Sequence, residues 1–158
     1  MAIDYSKFDE KVDLDALQKE VAEAPDYADV PKGNYICTLD KMELVETKDG
    51  SGLNLAVVFK VAEGDHKGRN LQRYQKVCGN KTTEKWNDGR AIKMACDWLN
   101  EFCTNSAIDI EPVTFVNYAD FGDAILDIYQ DAHKLQFDVD WGGDAFGMNC
   151  LKVNEAFD

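Results

Sequence analysis

Five apolar residues, Leu53, Leu55, Val57, Phe59 and Val61, occupy consecutive odd positions. Strict alternation of that kind belongs to a strand with one buried face. The preceding stretch, Asn34 to Glu46, alternates as well but changes phase: Tyr35, Cys37 and Leu39 are odd, whereas Met42 and Leu44 are even. One extra residue near Asp40-Lys41 is what a β-bulge leaves in a sequence, and it bends the strand that carries it. Between the two stretches, Lys48-Asp49-Gly50-Ser51-Gly52 has the chemistry of a hairpin turn. The fold must be built around this bent antiparallel pair.

The remaining elements follow in order. Glu63-Gly64-Asp65-His66-Lys67-Gly68 turns the chain, and Arg69 to Val77 reads as a third strand interrupted by charge. Helical spacing then appears from Glu84 to Cys103, with Ala91, Ala95, Trp98, Leu99 and Phe102 on one stripe. A shorter helix is expected from Asp120 to Asp131, where Phe121, Ile125 and Ile128 share a face. Period two returns at Leu135, Phe137, Val139 and Trp141; Gly142-Gly143-Asp144 turns, and a last strand runs through Phe146 to Phe157 with Leu151 and Val153 as its buried pair. Three strands, a helical segment and two strands predict a mainly β protein with helices, a five-stranded Greek-key barrel of the OB type. The bulged first strand would serve both halves of that barrel. The alternative is an α+β sandwich with a helix on an open sheet.

Ahead of the domain, residues 1–32 form an acidic segment. Leu14, Leu17 and Val21 fall at helical spacing with Asp13 placed to cap them, and Pro31-Lys32-Gly33 marks the start of the compact unit at 33–158. A chain of 158 residues with 45% hydrophobic content can bury one sufficient core. No apolar run approaches the roughly 20 residues that span a bilayer, and the N-terminus has no leader pattern. A cytoplasmic protein is expected, within the host cell if a phage encodes it. Cys37, Cys78, Cys96, Cys103 and Cys150 make an odd number with no C-x-x-C spacing. They are expected to be reduced, buried thiols.

Charge is the most informative feature for function. The chain carries a net charge of −13, yet Lys60 to Lys93 holds nine basic residues against four acidic ones, so the rest stands at −18. A molecule repelled from polyanions over most of its surface would be oriented by one basic face. That region interleaves charge with aromatic rings. Lys60, Lys67, Arg69, Arg73, Lys76, Lys81 and Lys85 are the expected phosphate contacts, and Tyr74 and Trp86 the expected stacking platforms. Trp141 and Phe146 flank the loop before the last strand and join them, although Trp141 shares the phase of Leu135, Phe137 and Val139 and reads first as a core residue. Single strands are held by such a combination of charge neutralisation and base stacking.

Nothing in the sequence assembles a nucleophile, a base and an orienting group. His66 and His133 stand apart from any metal-binding spacing and are expected at the surface. Asp138 and Asp140 lie on the outward phase of their strand and read as a solvated face. No catalytic residue, metal or cofactor is expected.

Several segments taken together resemble a known family: Ile3-Asp4-Tyr5-Ser6-Lys7-Phe8-Asp9, Val30-Pro31-Lys32-Gly33-Asn34-Tyr35, Lys41-Met42-Glu43-Leu44, Phe59-Lys60-Val61, the turn Glu63 to Gly68, and Phe146-Gly147-Met148-Asn149. The resemblance is to the DUF669 family of small phage proteins and spans nearly the whole chain. It implies a single-stranded DNA-binding protein acting in replication or recombination, without chemistry of its own. This chain departs from that pattern at Arg73-Tyr74-Gln75-Lys76, which is more charged. The acidic segments suit replication or recombination partners, and self-association is open. A different reading makes the protein an acidic inhibitor, its −18 surface mimicking DNA toward a host protein.

Overall fold

A computed structural model describes residues 4–23, 30–142 and 147–158. Two short helices come first, α1 (Ser6–Asp9) and α2 (Leu14–Glu23). Asp13 Oδ1 accepts from the backbone N–H of Ala16 at 3.2 Å and so caps α2. Then follow β1 (Gly33–Glu46), β2 (Leu53–Val61), β3 (Asn70–Cys78), α3 (Asp88–Asn105), α4 (Tyr118–Ala132), β4 (Gln136–Trp141), a 3-10 turn at Gly147–Cys150 and β5 (Leu151–Phe157). The order of the five strands and of α2, α3 and α4 is the expected one; α1 and the 3-10 turn are additions, and the last strand begins at Leu151 because Gly147–Cys150 is wound into that turn. No helix among the described residues is long and apolar enough to cross a membrane.

All strands are antiparallel, in the order β3-β2-β1-β4-β5. The register of β1 on β2 shifts between Leu39 and Lys41, where the phase slip predicts the bulge. Before it, Cys37 and Leu39 face the core; after it, Met42 does. The core packs Leu55, Val57 and Phe59 of β2 and Leu71 and Val77 of β3 against α3, with Phe121, Ile125 and Ile128 of α4 closing the side over β1.

The expected barrel is not closed: the sheet is open, with β3 and β5 as its two edges. Helix α3 touches both. Trp98 Nε1 donates to the carbonyl of Leu151 at 2.7 Å and Asn105 Nδ2 to that of Val153 at 3.0 Å, so donors from α3 occupy carbonyls of β5. On β3, the Tyr118 hydroxyl donates to the Val77 carbonyl at 2.8 Å. Side chains thus satisfy edge groups that an unprotected edge would offer to another strand. Burial pushes the Tyr118 hydroxyl up to about 12, which keeps it protonated as a donor.

The thiols are free, four buried and Cys78 half-buried. Burial raises Cys37 to about 12 and Cys103 to about 11, with Asp138 and Asp131 respectively adding to the effect. Protonated thiols of this kind behave as small hydrophobes. His133 is exposed as expected, stacked on Tyr129. His66 is not fully at the surface: it is half-buried with its ring edge-on to Tyr35 at 5.9 Å, because the turn that carries it folds back over the start of β1.

Candidate nucleic-acid interface

Pairing fixes which side chains share the outer face of the sheet. Beyond the bulge, β1 turns Lys41, Glu43 and Val45 outward, opposite Val58, Ala56 and Asn54 of β2. These in turn oppose Gln72, Tyr74 and Lys76 of β3, and Lys60 opposes Asn70. Tyr74 is 48% exposed, while Ala56 opposite it is fully buried and Val58 is 5% exposed. The result is a shallow face with one exposed ring in its middle, lysines at Lys41, Lys60 and Lys76, and amides at Asn54, Asn70 and Gln72. Lys41 is absent from the sequence-derived set. Its signal was the phase slip, which moves it from the core phase to the outer one. It forms an ion pair with Glu43 at 3.4 Å.

Lys76 lies where three segments converge. A Cβ on Gly52 would collide with the Cys78 carbonyl, so glycine is required there by the close approach of β3, and Lys76 Cε lies just beyond, 3.2 Å from that position and 3.3 Å from a Cβ on Gly79. Gly79 also takes a left-handed φ of 90°. The Lys76 charge acts on Asp88, at the first turn of α3.

Asp88 organises the loop that leads from β3 into α3. Its carboxylate accepts from the backbone N–H of Gly79 at 3.1 Å, from that of Asn80 at 2.8 Å and from Asn80 Nδ2 at 2.8 Å. Burial alone would raise its pKa; the bonds from Asn80 and Gly79 and the Lys76 charge outweigh that and hold it below its ordinary value. Asn80 Oδ1 accepts from Trp86 Nε1 at 3.0 Å, Thr83 Oγ1 accepts from the N–H of Trp86 at 3.0 Å, and Arg90 Nη1 donates to the Lys85 carbonyl at 2.5 Å. Asn87 caps the helix by accepting from the N–H of Arg90 at 2.9 Å. A loop pinned at so many points presents exposed Lys81 and Lys85 from a fixed frame.

The expected residues divide into groups. Lys60, Tyr74 and Lys76 share the outer face; Lys67 is exposed in the turn at its far end, with half-buried Arg69 beside it, and Lys81 and Lys85 lie in the loop at the near end. The two ends are separated by the nine residues of β3, about 27 Å at strand rise. Arg73 does not belong to this face. It is in phase with Leu71, Gln75 and Val77, opposite buried Val57, and its charge acts on the buried thiol of Cys150. Consecutive strand residues alternate faces, so Arg73 and Tyr74 cannot both serve one surface. Trp86 is half-buried with its N–H committed to Asn80, which makes it a brace of the loop rather than an open platform. Trp141 packs against the core and donates Nε1 to the Val30 carbonyl at 3.0 Å, the structural role rather than the stacking one. Phe146 lies outside the described residues.

On the other half of the outer face the charge reverses. Asn34 Nδ2 bridges Asp138 and Asp140, the latter at 2.8 Å, and Asn154 Nδ2 reaches Asp138 at 3.3 Å. Bonds from Asn34 and Asn154 lower the pKa of Asp140 and keep it ionised. The basic half is thereby bounded by acid along β4. Among the described residues no group of three or more His, Cys, Asp or Glu side chains is arranged to hold a metal ion.

Among protein families, the one described as "Protein of unknown function (DUF669)" matches residues 15–154. No curated protein and no solved structure matches the chain.

Proposed function

We propose that this chain, which belongs to the DUF669 family, binds single-stranded DNA with little sequence preference and acts in replication or recombination inside a phage-infected cell. The observation that carries this reading is the exposed ring of Tyr74 set among Lys41, Lys60 and Lys76, on the outer side of the β1–β3 sheet. A ring face accepts any unpaired base, with about 1 to 3 kcal/mol per base at stake, and lysines beside it neutralise phosphates without reading sequence. The amides of Asn54, Asn70 and Gln72 add donors and acceptors that suit sugar, phosphate or base edges. Duplex DNA fits this face poorly, since a shallow sheet surface enters neither groove and stacking needs an unpaired base.

The strand order, the bulged first strand and the helix between the third and fourth strands suit an OB-type barrel whose edges meet across α3 instead of by hydrogen bonding. In that arrangement the face of the second and third strands and the loops joining strands one to two and four to five carry the ligand. Tyr74 stands on that strand pair, and the basic loop 79–87 lies beside the β1–β2 turn, Gly79 against Ser51 and Gly52. The test is a fluorescence titration with a labelled oligo-dT of about 20 nucleotides, a length that covers the roughly 4 to 16 nucleotides held per OB fold. Binding should weaken as salt rises, with a log–log slope of about −2 to −4 for three to five phosphates neutralised. No binding at low salt would remove the proposal.

A further inference from the structure

We infer that the N-terminal segment of one copy docks, in the absence of DNA, on the Tyr74 face of a second copy, so that self-association and DNA binding compete for one surface. This rests on the reading that the Tyr74 face is the DNA site. In the single chain the apolar stripe of α2 is open to solvent: Leu14 and Leu17 are each 42% exposed and Val21 is 70% exposed. Tyr5, Phe8 and Val12 just ahead of it are exposed too. A short amphipathic helix draws most of its stability from packing that stripe on something, and the Tyr74 ring is itself 48% exposed within one chain.

Charge selects the surface that covers it. Residues 4–23 carry seven acidic residues against three lysines, so the stripe is rimmed with negative charge. The face of opposite sign is the one around the exposed Tyr74 ring, where Lys60, Lys76 and Lys41, the last paired with Glu43, supply the positive charge. The acidic half of the sheet, with Asp138 and Asp140, would repel the same segment. A two-fold pair in which each copy gives its segment and receives its partner's doubles the contact and closes on itself. Phosphates and a stacked base would displace the segment, since they use the same lysines and the same ring.

Sedimentation velocity of the full chain, over a range of protein concentrations without DNA, tests this. At low salt a reversible dimer is expected, and raised salt should dissociate it. Leu17→Glu, which spoils the stripe, and Lys41→Glu/Lys60→Glu, which spoils the face, should each weaken association by about tenfold or more, equivalent to about 1.4 kcal/mol. All these positions are at least partly solvent-exposed, and far-UV circular dichroism would verify that both variants fold. Mixing the two variants restores one intact segment and one intact face, so hetero-dimers should form where neither variant dimerises alone. Oligo-dT should convert the wild-type dimer to a protein–DNA complex. A wild-type chain that stays monomeric at low salt, or variants that dimerise like wild type, would overturn the inference. Neither result depends on DNA binding, whose failure would show in the titration alone.

Discussion

Arg73 and Tyr74 are neighbours in β3 and face opposite sides of the sheet: the tyrosine ring is 48% exposed beside Lys76, while Arg73 stands in the phase of buried Leu71 and Gln75 and lends its charge to the surroundings of Cys150. The pair separates two roles that a run of mixed charge and aromatics merges.

Tyr74→Ala should weaken oligo-dT binding by about 1 to 3 kcal/mol, from several-fold to over a hundredfold. Tyr74→Phe, which keeps the ring, should bind within about twofold of wild type. The fluorescence titration reads both, and equal affinity for the alanine variant would exclude Tyr74 as the platform.

Lys60→Ala and Arg73→Met should behave differently. Loss of a phosphate contact flattens the salt dependence, and the lysine variant should change the log–log slope by about 0.7. Arg73→Met should leave the slope as it is. Titrations at four salt concentrations would distinguish them, and a flattened slope for the methionine variant would return Arg73 to the binding face.

Glu43 places a negative charge on the proposed face and holds Lys41 at 3.4 Å. An exposed pair of this kind is worth little to the fold, about 0 to 1 kcal/mol. Glu43→Gln should therefore leave thermal stability nearly unchanged and tighten oligo-dT binding by about two- to fivefold at low salt. The gain should fade as salt rises.

Asp88→Ala should cost about 1 kcal/mol after allowance for solvent screening, because Asn80 and Gly79 lose a charged acceptor. Its folded pKa lies below the ordinary 3.8. The bonded carboxylate thus stabilises the fold above about pH 4, and that stabilisation is lost as pH falls through the folded value. Urea melts of wild type and variant should differ at pH 7 and converge as the pH drops below 4. A difference that persists in acid would assign the effect to packing instead.

Trp98→Phe combined with Asn105→Ala strips the donors that α3 supplies to Leu151 and Val153. Each carbonyl left without a partner should cost about 1 kcal/mol or more, and β5 should become a site for strand pairing between molecules. Light scattering on heating should show earlier aggregation than the melting temperature alone accounts for.

Much of the scaffold was legible because apolar spacing carries it. The slip between Leu39 and Met42 located the bulge, and the stripe through Ala95, Leu99 and Phe102 located α3. Ala56 and Val58 were harder: their positions in β2 alternate with Leu55 and Phe59 and so read as outward, yet Tyr74 lies opposite one and Lys41 and Gln72 flank the other. Arg73 was misplaced because a charged side chain was counted toward the surface against its own strand phase. The commitments of Trp86 to Asn80 and of Trp98 to Leu151 depend on where a ring N–H points, and Trp98 and Leu151 are 53 residues apart. Periodicity has no access to such bonds, and the bracing of the 79–87 loop and the seating of α3 on the β5 edge rest on them.

The inserted residue at Asp40 has a consequence for how the protein can change. Asp40 is passed over in the pairing, Leu39 standing opposite Phe59 and Lys41 opposite Val58. Its removal would keep Met42 and Leu44 on the core side and take away the bend, whereas loss of a single paired residue on either side of it would turn part of β1 inside out. Core and surface are specified there by a shared reading frame, and drift in length within β1 is far more dangerous than drift in residue type.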